Sequence, residues 1–355
     1  MTNQGAQTCG PADPCERSYQ ERGFEAIASL IREAHTIAIC AHTSPDGDAL
    51  GCVLAMALII RGYNPDASVA TLLADDAPVP RIYQFLPESQ GLVPACSYHD
   101  TPDLFVALDL SEAKRLNQAQ DVCARARHTA VIDHHPTKNP FGEANVIRPG
   151  AAAAGVLVAE FALKVGVDIT PQIAQCLLCA IVTDTGRFQY QNTDAESFRV
   201  ASLLVDKGAS PSEISLNVYQ SFRLSFLHLK SLVLGRITTF EKGRIAYSYA
   251  TQNDLERTGA DLDECDGLID VVRSVSGSEV ALFLKKVPGG MVRGNLRSKD
   301  NHDVSKVARL MGGGGHKAAA GFTYEGDVDE VLAAVLPHLR ALFSDQSPQS
   351  DAEGV

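Results

Sequence analysis

The chain has 355 residues, 45% of them hydrophobic, and a formal net charge of −12. That length exceeds one typical core, so two domains are expected. The acidity excludes long duplex nucleic acid as a partner, because such binding draws on neutralising many phosphates. No apolar run reaches the ~18 residues of a transmembrane helix. Residues 1–22 are polar and lack the apolar stretch of a secretory signal. A cytoplasmic protein with no membrane partner is expected.

Residues 1–21 carry Gly, Pro, Gln and Asp without periodicity and read as a disordered tail. Apolar positions recur at helical spacing over 24–33, a strand is expected over 36–40 and a helix over 49–61. His42, Asp46 and Asp48 follow that first strand as H-x-x-x-D-x-D. Asp109 closes the apolar run 105–108, and the run 129–132 leads into Asp133-His134-His135. This alternation argues for a parallel sheet with helices on both faces. Helices are expected over 151–165 and 171–182, with Asp184 following the apolar run 176–182. Thr193 is the expected N-cap of a helix over 194–206. Lys207-Gly208-Ala209-Ser210-Pro211 stops one helix and starts another, continuous over 212–234. The first domain is therefore drawn over 22–206 and a helical connector over 207–228.

The texture then changes. Strand-like runs over 244–250, 279–287 and 291–297, the last two joined by Pro288-Gly289-Gly290, describe an antiparallel hairpin in an α+β module over 229–343. A helix-like run over 304–311 precedes a glycine loop, a helix over 329–343 closes the module, and 344–355 is a disordered tail. No solenoid-type repeat is present. Among the nine cysteines, Cys40, Cys52, Cys123, Cys176 and Cys179 read as small core residues. Cys176-Leu177-Leu178-Cys179 lacks a second pair or nearby His for zinc. Cys9 and Cys15 fall in the tail as free thiols.

Carboxylates at Asp46, Asp48, Asp109, Asp133 and Asp184 and imidazoles at His42, His134 and His135 share one chemistry. Their four segments are read together as strand-end positions, Asp184 included, where open α/β sheets place their sites. Mixed oxygen and nitrogen donors suit Mn(II), Mg(II) or Fe(II) better than zinc held by thiolates. The set is too large for one ion and suits two that share a carboxylate. Two metals ~3.5–4 Å apart activate a water and clamp the leaving oxygen of an in-line phosphoryl displacement. The alternative is a set of unrelated loop acids.

A second cluster lies in the α+β module. Gly312-Gly313-Gly314-Gly315-His316 lets the backbone approach a ligand closely and forms an anion nest, with Gly313, Gly314, Gly315 and His316 as substrate contacts. Arg297-Ser298 ends the hairpin; a strand-end Arg is either a plain surface charge or, in the same module as the Gly/His loop, a fork onto a phosphate or a plane that stacks on a base. Arg187, three residues after Asp184, is either a further phosphate neutraliser or a plain surface charge. His99, His128, His228, His302 and His338 have no such company and read as surface or packing residues.

His42-x-x-x-Asp46-Gly47-Asp48-Ala49-Leu50-Gly51, Asp109, Asp133-His134-His135, Thr183-Asp184-Thr185-Gly186 and the glycine loop with Ala319-Ala320-Gly321 resemble the DHH phosphoesterase family with its DHH-associated C-terminal domain. The resemblance covers residues 24–343. It implies an α/β fold: an N-terminal parallel-sheet domain, a smaller α+β domain, and an active site in the cleft between them. It implies two divalent ions, Mn(II) first, with Mg(II) or Co(II) as alternatives. His42, Asp46 and Asp109 would hold one; Asp48, Asp109, His134 and Asp184 the other, with Asp109 bridging. Asp133 would orient the neighbouring imidazole and His135 would face the scissile phosphate. Arg297, Ser298, the glycine loop and His316 would bind the terminal nucleotide.

Within the family, the short two-domain layout resembles the members that act as oligoribonuclease and phosphatase, and that resemblance implies an exonuclease-type hydrolase of short single-stranded oligoribonucleotides (nanoRNA) and dinucleotides that also dephosphorylates 3′-phosphoadenosine 5′-phosphate (pAp). Self-association as a homodimer stays open. Hydrolysis of pApA or cyclic-di-AMP by the same centre is the alternative. An inorganic pyrophosphatase leaves the Gly/His loop and Arg297-Ser298 without a base or sugar to bind. A non-catalytic nucleotide-binding regulator would be favoured by a missing ligand, and none is missing. An appended RNA-binding module leaves the first cluster unexplained. Two departures from the family pattern stand out: Cys52 where Ser is frequent, and Gly294-Asn295 before Leu296-Arg297.

Overall fold

Apolar runs too short for helices set the frame of the first unit. The computed structural model describes residues 14–287, 289–299, 302–315 and 317–344. It divides into Met1–Ser221 and Phe222–Val355, a boundary inside the expected connector. In the first unit α1 (Pro14–Glu33) leads to β1 (Thr36–Cys40), α2 (Gly47–Tyr63), β2 (Ser68–Leu73), β3 (Val93–Pro94) and β4 (Leu104–Leu108). Then follow α3 (Gln120–Arg125), β5 (His128–Asp133), β6 (Ala144–Ile147), α4 (Ala154–Lys164), α5 (Pro171–Asp184), α6 (Ala195–Asp206) and α7 (Pro211–Ile214). The strands lie in the order β3-β2-β1-β4-β5-β6, all parallel.

β4 is buried at every residue, as a central parallel strand covered on both faces must be. α2 is apolar nearly all round, which suits a helix of the interior. It meets α5 at two glycines. A Cβ at Gly51 would lie 2.4 Å from the Cys176 carbonyl oxygen, and one at Gly47 would lie 2.5 Å from Thr183 Oγ1. Only glycine lets the two helices come this close, and the approach carries the end of α5 to the start of α2. Leu50, Leu54 and Ile59 fill the core around that contact, each contributing roughly 1.5–3 kcal/mol by burial.

Four expectations need correction. Within the tail drawn over 1–21, residues 14–21 are helical, because they continue a helix whose Phe24, Ile27 and Ile31 dock into the core. Asp184 is the last residue of helix α5, not a strand end. The N-cap of α6 is Asp194, which forms a reciprocal capping box with Ser197. Thr193 Oγ1 is buried without a hydrogen-bond partner among the described residues. The continuous helix over 212–234 is broken. α7 runs into a π-helical turn at Ser215–Tyr219 and ends, because Ser221 Oγ takes the Leu216 carbonyl (2.7 Å) and Gln220 Nε2 takes Ser215 Oγ (2.9 Å).

The second unit runs α8 (Leu224–Gly235), β7 (Thr238–Phe240), β8 (Ile245–Ala250), α9 (Gln252–Thr258), α10 (Leu268–Arg273), β9 (Val280–Val287) and β10 (Met291–Ser298). It ends with α11 (Val304–Leu310), β11 (Gly314–Gly315), β12 (Ala319–Glu325) and α12 (Val328–Ser344). Its mixed sheet has the order β11-β12-β10-β9-β8-β7, with only β8 and β9 parallel. Alternation divides β9 between two cores: Ala281 and Phe283 face α8 and α10, while Leu282 and Leu284 share a core with α11 and α12. Pro288 of the hairpin turn lies outside the described residues. Cys40, Cys52, Cys176, Cys179 and Cys265 are buried and free of disulfides. No helix among the described residues is long and apolar enough to cross a membrane.

Candidate metal centre

The C-terminal edge of the first unit's sheet collects side chains from three adjacent strands. β1 delivers His42, β4 delivers Asp109, and β5 ends in Asp133 and delivers His134 and His135. Two helix ends complete the set. Asp46 is the N-cap of α2, with its side chain accepting from the amides of Asp48 and Ala49, and Asp48 lies in the first turn. Asp184 comes from the end of α5. Asp109 itself has a left-handed φ of 59°, and its amide donates to the Ile132 carbonyl (3.0 Å). Such backbone in a non-glycine residue is a mark of functional sites.

His42 Nε2 lies 3.2 Å from Asp109 Oδ2 and 3.9 Å from Asp46 Oδ1. His134 Nε2 lies 3.4 Å from Asp109 Oδ1, 3.8 Å from Asp48 Oδ2 and 3.8 Å from Asp184 Oδ2. The ligand-capable atoms fall into overlapping groups: His42, Asp46 and Asp109; Asp48, His134 and Asp184; Asp109, His134 and His135. Both imidazoles are aimed by carbonyls. His134 Nδ1 lies 3.1 Å from the Ala151 carbonyl and His42 Nδ1 lies 2.8 Å from that of Thr43, so each ring turns Nε2 inward. His135 Nδ1 lies 2.7 Å from Asp133 Oδ1 and 3.5 Å from Asp109 Oδ1.

Crowding shapes the ionisation of the cluster. Burial works against charge on His134, but the carboxylates of Asp109, Asp184 and Asp48 outweigh it and push the imidazole up to about 11. Burial also opposes charge on Asp109, and the imidazoles of His134 and His42 overcome it, holding the carboxyl far below its usual range. Burial, then Asp109 and Asp184, push Asp48 well up. Asp184 is pushed up to about 7 by burial first and by Asp46 and Asp109, against the pull of His134. Asp109 Oδ1 and Asp133 Oδ2 are buried without a hydrogen bond among the described residues. Orphaned acceptors, carboxylates raised by one another and inward-turned imidazoles fit a pair of divalent cations.

Sequence reasoning missed several supporting groups. Asp48 caps a helix far along the chain, accepting from the amides of Ala154 (2.7 Å) and Gly155 (2.9 Å) at the start of α4. Ala153, at the N-cap of α4, has no side chain for that task. Cys52 Sγ donates to Asp48 Oδ1 at 3.3 Å, a bond within one helical turn that the spacing could have revealed. Asn192 Nδ2 meets Asp184 Oδ2 (3.2 Å) and the Ala152 carbonyl (2.8 Å).

The remaining candidates are Arg187 in the first unit and Arg297, Ser298 and the glycine loop in the second. Arg187 is exposed, with φ of 64° and its guanidinium 4.7 Å from the Tyr219 ring centre. In the second unit Arg297 is half-buried near the end of β10, opposite Ala281 and Ala319, and Ser298 is buried with its amide on the Ala318 carbonyl (2.8 Å). Gly314 and Gly315 pair with Gly321 and Ala320 as a short strand. A Cβ at Gly313 would lie 2.1 Å from the Gly321 carbonyl oxygen, so packing against β12 by itself demands glycine there. His316 lies outside the described residues.

Residues 36–181 match the DHH family, N-terminal domain, and residues 242–344 match the DHHA1 domain. The chain belongs to the DHH phosphoesterases and is a hydrolase. It is 31% identical, over 92% of its length and 95% of the relative's, to the bifunctional oligoribonuclease and PAP phosphatase NrnA of Thermus thermophilus. It is 25% identical to the NrnA of Bacillus subtilis over 84% of this chain and 93% of that protein. It shares its fold with an exopolyphosphatase-related protein from Bacteroides fragilis, at TM-score 0.83 and 24% identity over 91% of this chain and 96% of that one.

Proposed function

We propose that the chain cleaves short oligoribonucleotides to mononucleotides and dephosphorylates pAp, using two divalent ions with Mn(II) as the first choice. The observation that supports this most directly is Asp109, whose two oxygens face different imidazoles and so belong to two ligand groups at once. In this reading His42, Asp46 and Asp109 hold one ion, and Asp48, Asp109, His134 and Asp184 hold the other. Bound there, the ions would supply Lewis acidity toward the phosphoryl oxygens and a nucleophile from water.

The chain's own residues do the rest. Asp133 accepts the Nδ1 proton of His135 at 2.7 Å, which orients the ring so that its imidazolium form, protonated at both nitrogens, gives the Nε2 proton to the leaving oxygen and returns to the neutral ring. The amides at the start of α4 hold Asp48 in place. Arg187 meets phosphate charge, and Arg297, Ser298, Gly313, Gly314, Gly315 and His316 recognise the nucleotide. Restriction to short substrates follows from the net charge of −12, which offers no long basic track. The choice of pAp and oligoribonucleotides rests on the activities named for the Thermus and Bacillus relatives.

The test is a product analysis with Mn(II), labelled RNAs of about two to five nucleotides, one of about 30, pAp, pApA and cyclic-di-AMP. Mononucleotides from the short RNAs and AMP from pAp are expected. Turnover of pApA or cyclic-di-AMP alone would replace this reading with a dinucleotide phosphodiesterase at the same centre. Binding without turnover of any substrate would make the chain a nucleotide-binding regulator.

A further inference from the structure

Asp75 stands two residues beyond β2, beside the strand that delivers His42, and it belongs to none of the ligand groups. Its carboxylate is nonetheless fully engaged. Oδ1 accepts from Thr43 Oγ1 (2.7 Å) and Asn117 Nδ2 (2.7 Å). Oδ2 accepts from the Ser44 amide (2.6 Å) and makes a second contact with Thr43 Oγ1 (2.9 Å). Three segments thus converge on one carboxylate: the exits of β1 and β2 and the turn that follows β4. Their backbones are tied as well, Thr43 N to the Arg115 carbonyl (2.8 Å) and Gln118 N to that of Ala74 (3.1 Å).

Two of these donors have left-handed backbone although neither is glycine, Ser44 with φ of 52° and Asn117 with φ of 43°. Such conformations persist only where the surroundings over-determine them. Thr43 links this junction to the metal centre. Its carbonyl meets His42 Nδ1 at 2.8 Å, and since a carbonyl only accepts, Nδ1 carries the proton. Nε2 is then the ring atom turned toward Asp109 and Asp46. Rotation of the Thr43 peptide would release the ring.

We propose that Asp75 is a positioning residue for the His42 side of the centre: it locks Thr43 and Ser44 so that the Thr43 carbonyl fixes the tautomer and direction of the His42 imidazole. This rests on the reading that an ion sits among His42, Asp46 and Asp109. Asp75 touches neither substrate nor ion in this role; it acts through Thr43.

The probe is Mn(II) alone, titrated into EDTA-stripped full-length protein and followed by calorimetry and by the EPR signal of the free ion. Asp75→Asn replaces an acceptor oxygen with a donor that faces the Ser44 amide or the Thr43 hydroxyl. One of the two ions should bind about 10- to 100-fold more weakly, the range expected for a partner that orients a ligand, while the other changes little. His42→Ala should abolish that same binding event. Turnover of bis-p-nitrophenyl phosphate by Asp75→Asn should recover at saturating Mn(II), with half-saturation shifted by the same factor. Thr43→Val removes only the hydroxyl and keeps the test open if Asp75→Asn is unstable; it should weaken the same ion severalfold. Unchanged affinity for both ions in the folded variants overturns the proposal. So does lost turnover that saturating Mn(II) does not restore. Because the titration contains no substrate, failure to cleave RNA or pAp would count against the functional reading alone.

Discussion

Each unit gathers charges, largely buried in the first and mostly half-buried in the second, and the two sets are built on opposite terms. In the second unit the charges answer one another. Arg236 forks onto Asp254, Nη2 to Oδ1 at 2.7 Å with Nη1 on Oδ2, while Thr251 donates its amide and hydroxyl to Asp254 Oδ2 (2.8 and 2.7 Å). Arg244 forks onto Glu279 (2.6 and 3.1 Å), and Glu279 Oε2 also meets His302 Nε2 (2.7 Å). The Arg236 bonds hold Asp254 down to about 2, and those of Arg244 hold Glu279 down to about 2. In the first unit, Asp48 is raised by burial and by Asp109 and Asp184, Asp184 is raised by burial and by Asp46 and Asp109, and Asp109 Oδ1 and Asp133 Oδ2 are orphaned. Charges that close on themselves hold a fold together. Charges that leave like facing like cost stability and make a site for cations.

The strongest way to break this comparison is at Asp109. Asp109→Ala removes the one residue common to both Asp109 ligand groups, one with His42 and one with His134. Turnover should fall at least ~10³-fold on every phosphoester while the fold persists, since two-metal chemistry needs both ions. Retention of more than a few per cent of activity would argue against the shared carboxylate. Arg297→Ala comes next. Efficiency on short RNA and pAp should drop about 10- to 1000-fold, one charge-assisted contact of about 1.5–3 kcal/mol plus loosened geometry. Mn(II) stoichiometry should not change, and bis-p-nitrophenyl phosphate, which has no base, should suffer less. Equal losses on both substrate types would move Arg297 from recognition to the chemical step.

The residues of the first unit's candidate site could be picked out because they sit beside short apolar runs. His42, Asp109 and His134 follow β1, β4 and β5, Asp133 ends β5, and a strand's end fixes direction as well as place. Asp184 was legible as a residue, and the expected helix over 171–182 stops two residues short of it; only its grouping with the strand ends failed, because an apolar run of that length fits either element. Asp75 and the α4 amides were illegible for a different reason. Their bonds to Thr43 and Asp48 span tens of residues or more, and nothing in local pattern announces them. The break between α7 and α8 turned on Ser221 competing for the Leu216 carbonyl and on Gln220 bonding the Ser215 hydroxyl, which propensity alone does not rank. In the second unit the glycine motif was visible, yet a ligand loop and close packing on β12 call for the same residues.

Stability sharpens the comparison where activity cannot reach. In metal-free protein at pH 8, Asp184→Asn should raise the melting temperature, because an ionised Asp184 is held in the fold against its preference for the proton. The amide still offers an oxygen to Asn192. Asp254→Ala should do the reverse and cost about 3 kcal/mol by stranding Arg236 beside a buried gap. Added Mn(II) should invert the first result alone, stabilising the wild type above Asp184→Asn. Calorimetric scans with EDTA and with Mn(II) read both arms. A destabilised metal-free Asp184→Asn would show that Asp184 is structural after all.

The smallest effect is the response of the metal-free protein to acid, and its sign differs between the units. Asp254 and Glu279 sit below their ordinary values of 3.8 and 4.5, at about 2 each. A depressed carboxyl contributes stability in full above its unfolded value, and the contribution drains away as pH falls toward about 2. Asp184, raised from 3.8 to about 7, works the other way: between these values the folded state binds the extra proton, so the first unit firms as pH falls. His134, held charged up to about 11, adds stability that is present below 6.5 and lost as pH rises beyond it. Lowering the pH of EDTA-treated protein from about 7 to 4.5 should therefore strengthen the first unit, and going on toward 3 should loosen the second. Thermal scans with proteolytic mapping of the first cleavages separate the two units. Asp184→Asn should flatten the first limb and Glu279→Gln the second. A second-unit limb equally steep in Glu279→Gln would mean that its charges are not the self-contained set that the hydrogen bonds describe.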